Sequence, residues 1–84
     1  MKKIEIIPLA RKKIKKRNIP EKWIEESVND PMQVVKGYKD RNIIHRKYTI
    51  DDKEYLLRVV YEKEEDTYII ITAYLTSDIK RYWK

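Results

Sequence analysis

The chain contains no cysteine, one histidine, one glycine and three prolines among its 84 residues. Without thiols it can form no disulfide, no thiolate nucleophile and no cysteine-ligated zinc site. His45 has no second histidine to share a metal with, so a metal site would have to be built from carboxylates and carbonyls. The acidic clusters Asp51-Asp52 and Glu64-Glu65-Asp66 fall in expected turns and lack the spacing of an ion-binding loop. No metal and no cofactor is therefore expected. Long apolar runs are missing as well. The longest, YIIITAYL from Tyr68 to Leu75, falls far short of the roughly 18 to 20 residues that cross a bilayer. The basic start is interrupted by Glu5 and Pro8 before an apolar stretch of signal-peptide length can form. A soluble, cytoplasmic protein with no membrane partner is the expectation.

What the chain does have is charge. Charged residues make up 40% of it and apolar residues 42%, enough for one hydrophobic core under a thickly charged surface, as proteins of hyperthermophiles often have. A chain this short supports one core, so residues 1–84 are read as a single domain. The formal net charge of +6 is unevenly placed. Residues 1–17 hold eight basic side chains against Glu5 alone, whereas residues 18–84 hold twelve basic and thirteen acidic ones. Like charges one helical turn apart repel by a few tenths of a kcal/mol per pair. The run Arg11, Lys12, Lys13, Lys15, Lys16 and Arg17 carries no compensating glutamate. A solvated helix face accounts for part of this; a surface that holds phosphates accounts for the concentration. Arg11, Lys12, Lys15, Lys16 and Arg17 are the candidate RNA-binding residues.

Pro8 suits a first helical turn, and Leu9, Ala10 and Ile14 form a narrow apolar stripe, which predicts a helix from about Pro8 to Arg17. Asn18 can take the left-handed cap conformation, and Pro20 restarts a helix to about Val28 with Trp23, Ile24, Ser27 and Val28 on one face. After Pro31 the period becomes two. QVVKGY is a short strand; NIIHRKYTI and EYLLRVVYE are longer ones joined at Asp51-Asp52-Lys53; TYIIITAYL follows KEED. TSDIKRYWK supplies a last helical turn, with Thr76 or Ser77 to cap it and Ile79, Tyr82 and Trp83 to pack back. Lys2 to Ile7 alternates weakly and offers a further, N-terminal strand. The fold class is α+β: two N-terminal helices on one face of a three- to four-stranded antiparallel sheet, plus a short C-terminal helical turn. The other sheet face is expected to be open. A two-residue turn between the long strands is expected to set Arg58 opposite Lys47, and a three-residue turn to set it opposite Arg46.

Arg58 interrupts the apolar run YLLRVVY, and a guanidinium is too costly to bury there without a partner. That partner is either a carboxylate at the sheet edge or an anion clamped by its fork of donors. Thr72 and Tyr74 alternate onto one face of the last strand, with Lys80 and Tyr82 shortly after; core or rim packing explains the tyrosines equally well.

The segment PLARKKIKKRNIPEKWIEESVNDP resembles the two-helix opening of a family of short bacterial and archaeal domains of unknown function. That family lies near the BrnT toxins in the RelE-like toxin superfamily. LLRVVYE and IIITAYLTSDIKRYW resemble its central and last strands with their tail. The resemblance spans roughly Ile7 to Trp83. It implies a toxin-like RNA-binding protein of a type II toxin–antitoxin module, a metal-independent ribonuclease or a relative of one, with RNA or the ribosome as target and an antitoxin as partner. In that chemistry a ribose 2′-hydroxyl attacks the adjacent phosphate. Carried over by position, Arg58 would stabilise the charged intermediate, Thr72 and Tyr74 would orient phosphate or base, and Lys80 and Tyr82 would lie nearby. Leu9 departs from the pattern, standing where many members have a histidine, which favours a non-catalytic nucleic-acid- or protein-binding module. His45, in a strand, has no implied role.

Overall fold

The computed structural model describes residues 2–84. In chain order its elements are β1 (Lys3–Ile6), α1 (Pro8–Lys16), α2 (Glu21–Asn29), β2 (Gln33–Lys36), a short 3₁₀ turn at Tyr38–Asp40, β3 (Asn42–Ile50), β4 (Lys53–Glu64), β5 (Thr67–Thr76) and α3 (Ile79–Tyr82). The strands form one sheet in the order β1-β5-β4-β3-β2. β2 to β5 are an antiparallel meander, as the alternation predicts. The sheet is nevertheless five-stranded and mixed, not three- to four-stranded and antiparallel, because β1 joins its edge parallel to β5 with Ile4 beside Tyr68 and Ile6 beside Ile70. No described helix is long and apolar enough to cross a membrane.

Local chemistry sets the helix ends. Pro8 occupies the first turn of α1, where its missing N–H costs nothing, and the chain leaves that helix through Asn18 at a left-handed φ of 56°. Ala10 and Ile14 of α1 and Ile24 and Val28 of α2 are buried against Ile44, Leu57, Val59, Ile70 and Ala73 of the sheet. Leu9, expected in that stripe, is instead 60% exposed, because it lies off the line through Ala10 and Ile14 that meets β5.

Two irregularities in the strands decide which side chains meet. Asp51 and Asp52 both have positive φ, at 49° and 66°, and make a two-residue hairpin turn in which Ile50 pairs directly with Lys53. Arg58 therefore faces His45, and the expected partners Lys47 and Arg46 are both wrong; the strands stay paired up to the turn, which fixes the count. Between β4 and β5, Val60 faces Thr72 whereas Tyr61 faces Ile70, so Ile71 is an extra, bulged residue. The bulge lets Ile70 and Ala73, three positions apart, both reach the helix-covered core.

The second sheet face, expected to be open, is not. Ile43, His45 and Leu56 point away from α1 and α2 by strand alternation, yet they are 8%, 0% and 0% exposed. The segment after β5 folds back over part of this face, with Trp83 stacked on the His45 ring.

Leu57→Ala should cost about 2 to 5 kcal/mol in urea unfolding, the usual range for emptying a core leucine site. Leu9→Gln should change stability by less than about 0.5 kcal/mol, as for an exposed position outside the core. A large loss on Leu9→Gln would mean that α1 presents a different stripe to β5.

Candidate anion site on the second sheet face

The register places one side chain from each of four neighbouring strands in a row. Gln33 of β2 faces His45 of β3, His45 faces Arg58 of β4, and Arg58 faces Tyr74 of β5. All four project from the face away from α1 and α2. Hydrogen bonds run along the row. Arg58 Nε–H donates to His45 Nε2 at 3.0 Å, and an Arg58 Nη1–H donates to the Tyr74 hydroxyl oxygen. A guanidinium can only donate, so His45 Nε2 bears no proton and the ring proton sits on Nδ1. Nδ1–H in turn donates to Gln33 Oε1 at 2.9 Å.

This tautomer is neutral, and its surroundings keep it so. Burial, then the positive charge of Arg58, then that of Lys84, lower the His45 pKa from 6.5 to about 4. With both nitrogens engaged and the ring fully buried, His45 is a spacer that aims Arg58, not a proton shuttle.

Arg58 is consequently held in place without being neutralised. Of five guanidinium N–H bonds, two are used, and the other three have no partner among the described residues. The ion pairs there join Arg11 to Glu21, Arg41 to Glu62 and Arg46 to Asp30; none involves Arg58. Instead, aromatic rings surround it. Its carbon lies 3.9 Å from the Tyr82 ring centroid and 5.5 Å from that of Tyr74. Next to it on the same face, Lys47 Nζ lies 4.2 Å from the Trp83 ring centroid. Rings attract a cation through their quadrupole but leave its charge uncancelled. A half-buried, aimed and uncompensated guanidinium on the same face as a second cation has the chemistry to receive an anion with several oxygens.

Of the residues singled out from sequence, the structure brings Arg58, Tyr74 and Tyr82 together. Thr72 shares their face but meets Arg17, whose Nη1 lies 3.3 Å from the Thr72 hydroxyl and donates to the Ala73 carbonyl at 2.9 Å. Lys80 is exposed on α3 and shares none of the hydrogen bonds that hold Arg58. The basic helix is split in its commitments. Arg11 is bound to both carboxylate oxygens of Glu21, at 2.6 and 2.7 Å, while Lys12, Lys15 and Lys16 are exposed. These lysines do not converge with Arg58. α1 packs on the Val59 and Ala73 side of the sheet, and strand alternation sends Arg58 to the other side. His45 and Gln33 escape the sequence reading as site residues; pairing Ile50 with Lys53 across the two-aspartate turn would have found the first.

The buried histidine has a measurable consequence. In the unfolded chain His45 takes a proton near pH 6.5, whereas in the folded protein it resists until about pH 4. The unfolded state therefore binds more protons in that window, and the stability contribution, present above about pH 6.5, is lost as the pH falls toward 4. The difference is on the order of 3 kcal/mol. Urea midpoints measured from pH 7 to 4 should fall more steeply for the wild type than for His45→Gln. Parallel curves would show that His45 is not held neutral.

No curated protein and no solved structure matches this sequence. One family does, over residues 10–75, a span that includes Gln33, His45, Arg58 and Tyr74 and ends before Tyr82 and Trp83. By that match the chain belongs to the DUF4258 family, a domain of unknown function.

Proposed function

We propose that this protein is a toxin-like RNA-binding protein that holds RNA phosphate at Arg58. One observation carries the reading: the guanidinium is fixed by two neutral acceptors, His45 Nε2 and the Tyr74 hydroxyl, and paired with no acid among the described residues. A structural arginine is usually bound to a carboxylate, because an unpaired half-buried charge costs stability. Holding it with neutral groups keeps full positive charge for a ligand. Two further features support RNA in particular. Tyr74 provides an aromatic face beside Arg58, and aromatic faces next to cations are the combination that binds single-stranded nucleic acid. Exposed Lys12, Lys15 and Lys16 add a second, separate phosphate contact on the far side of the sheet. The resemblance to BrnT-like and RelE-like toxins points the same way, toward an RNA or ribosome target and an antitoxin partner.

Cleavage within this reading would be metal-independent. The ribose 2′-hydroxyl attacks the adjacent phosphorus, the bond to the 5′-oxygen breaks, and Arg58 steadies the negative charge that gathers on the phosphate oxygens. The step needs one group to take the 2′-hydroxyl proton and one to give a proton to the departing 5′-oxygen, and here the site is poor. His45 is buried with both nitrogens bonded, and Leu9 cannot carry a proton. That observation favours the second reading, a non-catalytic RNA-binding module of the same fold.

Fluorescence anisotropy with a labelled RNA tests both. Arg58→Ala should weaken binding by about 10- to 100-fold, the loss of hydrogen bonds to a charged group. Unchanged affinity would dispose of the proposal. Cleavage by wild type that is absent in Arg58→Ala would establish an enzyme; equal background in both would leave the binding module.

The triple substitution of Lys12, Lys15 and Lys16 by Gln should leave the melting temperature almost unaltered. It should also flatten the plot of log affinity against log salt by about 0.7 for each phosphate that the lysines no longer neutralise. An unaltered slope would remove α1 from the interface.

A further inference from the structure

The cations on the second sheet face are covered by one short segment. Tyr82 lies over Arg58 and Trp83 over Lys47, so two consecutive side chains each shield one positive charge. We infer that Ile79–Lys84 is a strap that competes with the ligand, closing over the anion site and lifting when a chain of phosphates engages Arg58 and Lys47 together. This inference rests on the reading of Arg58 as a phosphate site and concerns how that site is regulated.

The way the strap is attached supports lifting. α3 is a single turn with no buried residue and no side-chain cap, and none of its residues joins the main core cluster. Its far end is gripped by one side chain. Gln33 Nε2–H donates to the Lys84 carbonyl at 2.8 Å, and Gln33 Oε1 accepts from the Lys84 backbone N–H at 3.1 Å. Beyond that grip, the rings resting on the cations and the stacking of Trp83 on His45 hold the strap down. His45 and Tyr74 occupy two flanks of Arg58 and Tyr82 lies across one broad face, so a chain of phosphates that spans Arg58 and Lys47 meets the rings of Tyr82 and Trp83 lying over them. Phosphate oxygens bind a guanidinium through charge-assisted hydrogen bonds, which outweigh a ring contact. A polyanion therefore gains by replacing the strap, and the closed population lowers its apparent affinity by the fraction of molecules already open.

The probe should carry phosphates but no bases, so that stacking on the rings cannot contribute. Titration with tripolyphosphate should show tighter binding by Tyr82→Ala and Trp83→Ala than by wild type, by about 3-fold or more if most molecules are closed. Binding by Arg58→Ala should be lost. In the wild type, the Trp83 indole N–H resonance, assigned by Trp83→Phe, should move to its exposed position at saturation. If wild type and Arg58→Ala bind equally, the anion site itself is wrong and the strap with it. If binding depends on Arg58 but neither ring deletion tightens it, the strap alone is overturned. Should the alanine variants fold poorly, the indole resonance decides: a signal that does not move at saturation overturns the inference.

Discussion

The hydrogen bond from Arg58 to an unprotonated histidine nitrogen organises the second face of this protein. It requires His45 to be neutral and fixes its tautomer, which in turn fixes the orientation of the Gln33 amide. That amide then presents one donor and one acceptor to the backbone of Lys84, so the last segment is docked through the same row. At the other end the guanidinium orients the Tyr74 hydroxyl, leaving the phenolic proton free to donate. Each link has one allowed direction of donation, so changing one group affects all of them.

Burying a positive charge in such a row is unfavourable unless something offsets it. Three arginines nearer the solvent are paired with acids: Arg11 with Glu21, Arg41 with Glu62 and Arg46 with Asp30. On the second face the chain uses aromatic rings and neutral acceptors, which hold an arginine without cancelling its charge. Arg58 thereby keeps a charge that the three acid-paired arginines have neutralised.

The sheet also separates two basic regions that look continuous in the sequence. α1 buries Ala10 and Ile14 on one face, its lysines point outward from that layer, and Arg58 emerges from the opposite face. Arg17 stands between them, reaching the part of β5 beyond its pairing with β1 and bonding Thr72 and the Ala73 carbonyl. A ligand touching both regions would have to pass this edge.

Much of the architecture is legible in the sequence because it depends on local periodicity. Pro8, Asn18 and Pro20 mark helix ends by their own backbone preferences, and the β-rich run from Asn42 to Ile50 coincides with β3. The oddity of Arg58 is equally visible, since one charge amid YLLRVVY needs a reason wherever the chain folds. The sequence by itself thus determined the elements, the concentration of charge and the identity of the central arginine, all of which are set by neighbours along the chain. Only the tertiary structure decided what Arg58 meets. Its partners come from β3, β5 and the final segment, with β2 behind them, brought together by a two-residue turn that sets the register and a bulge that resets it. A shift of one residue at either would have changed them, because strand faces alternate with a period of two.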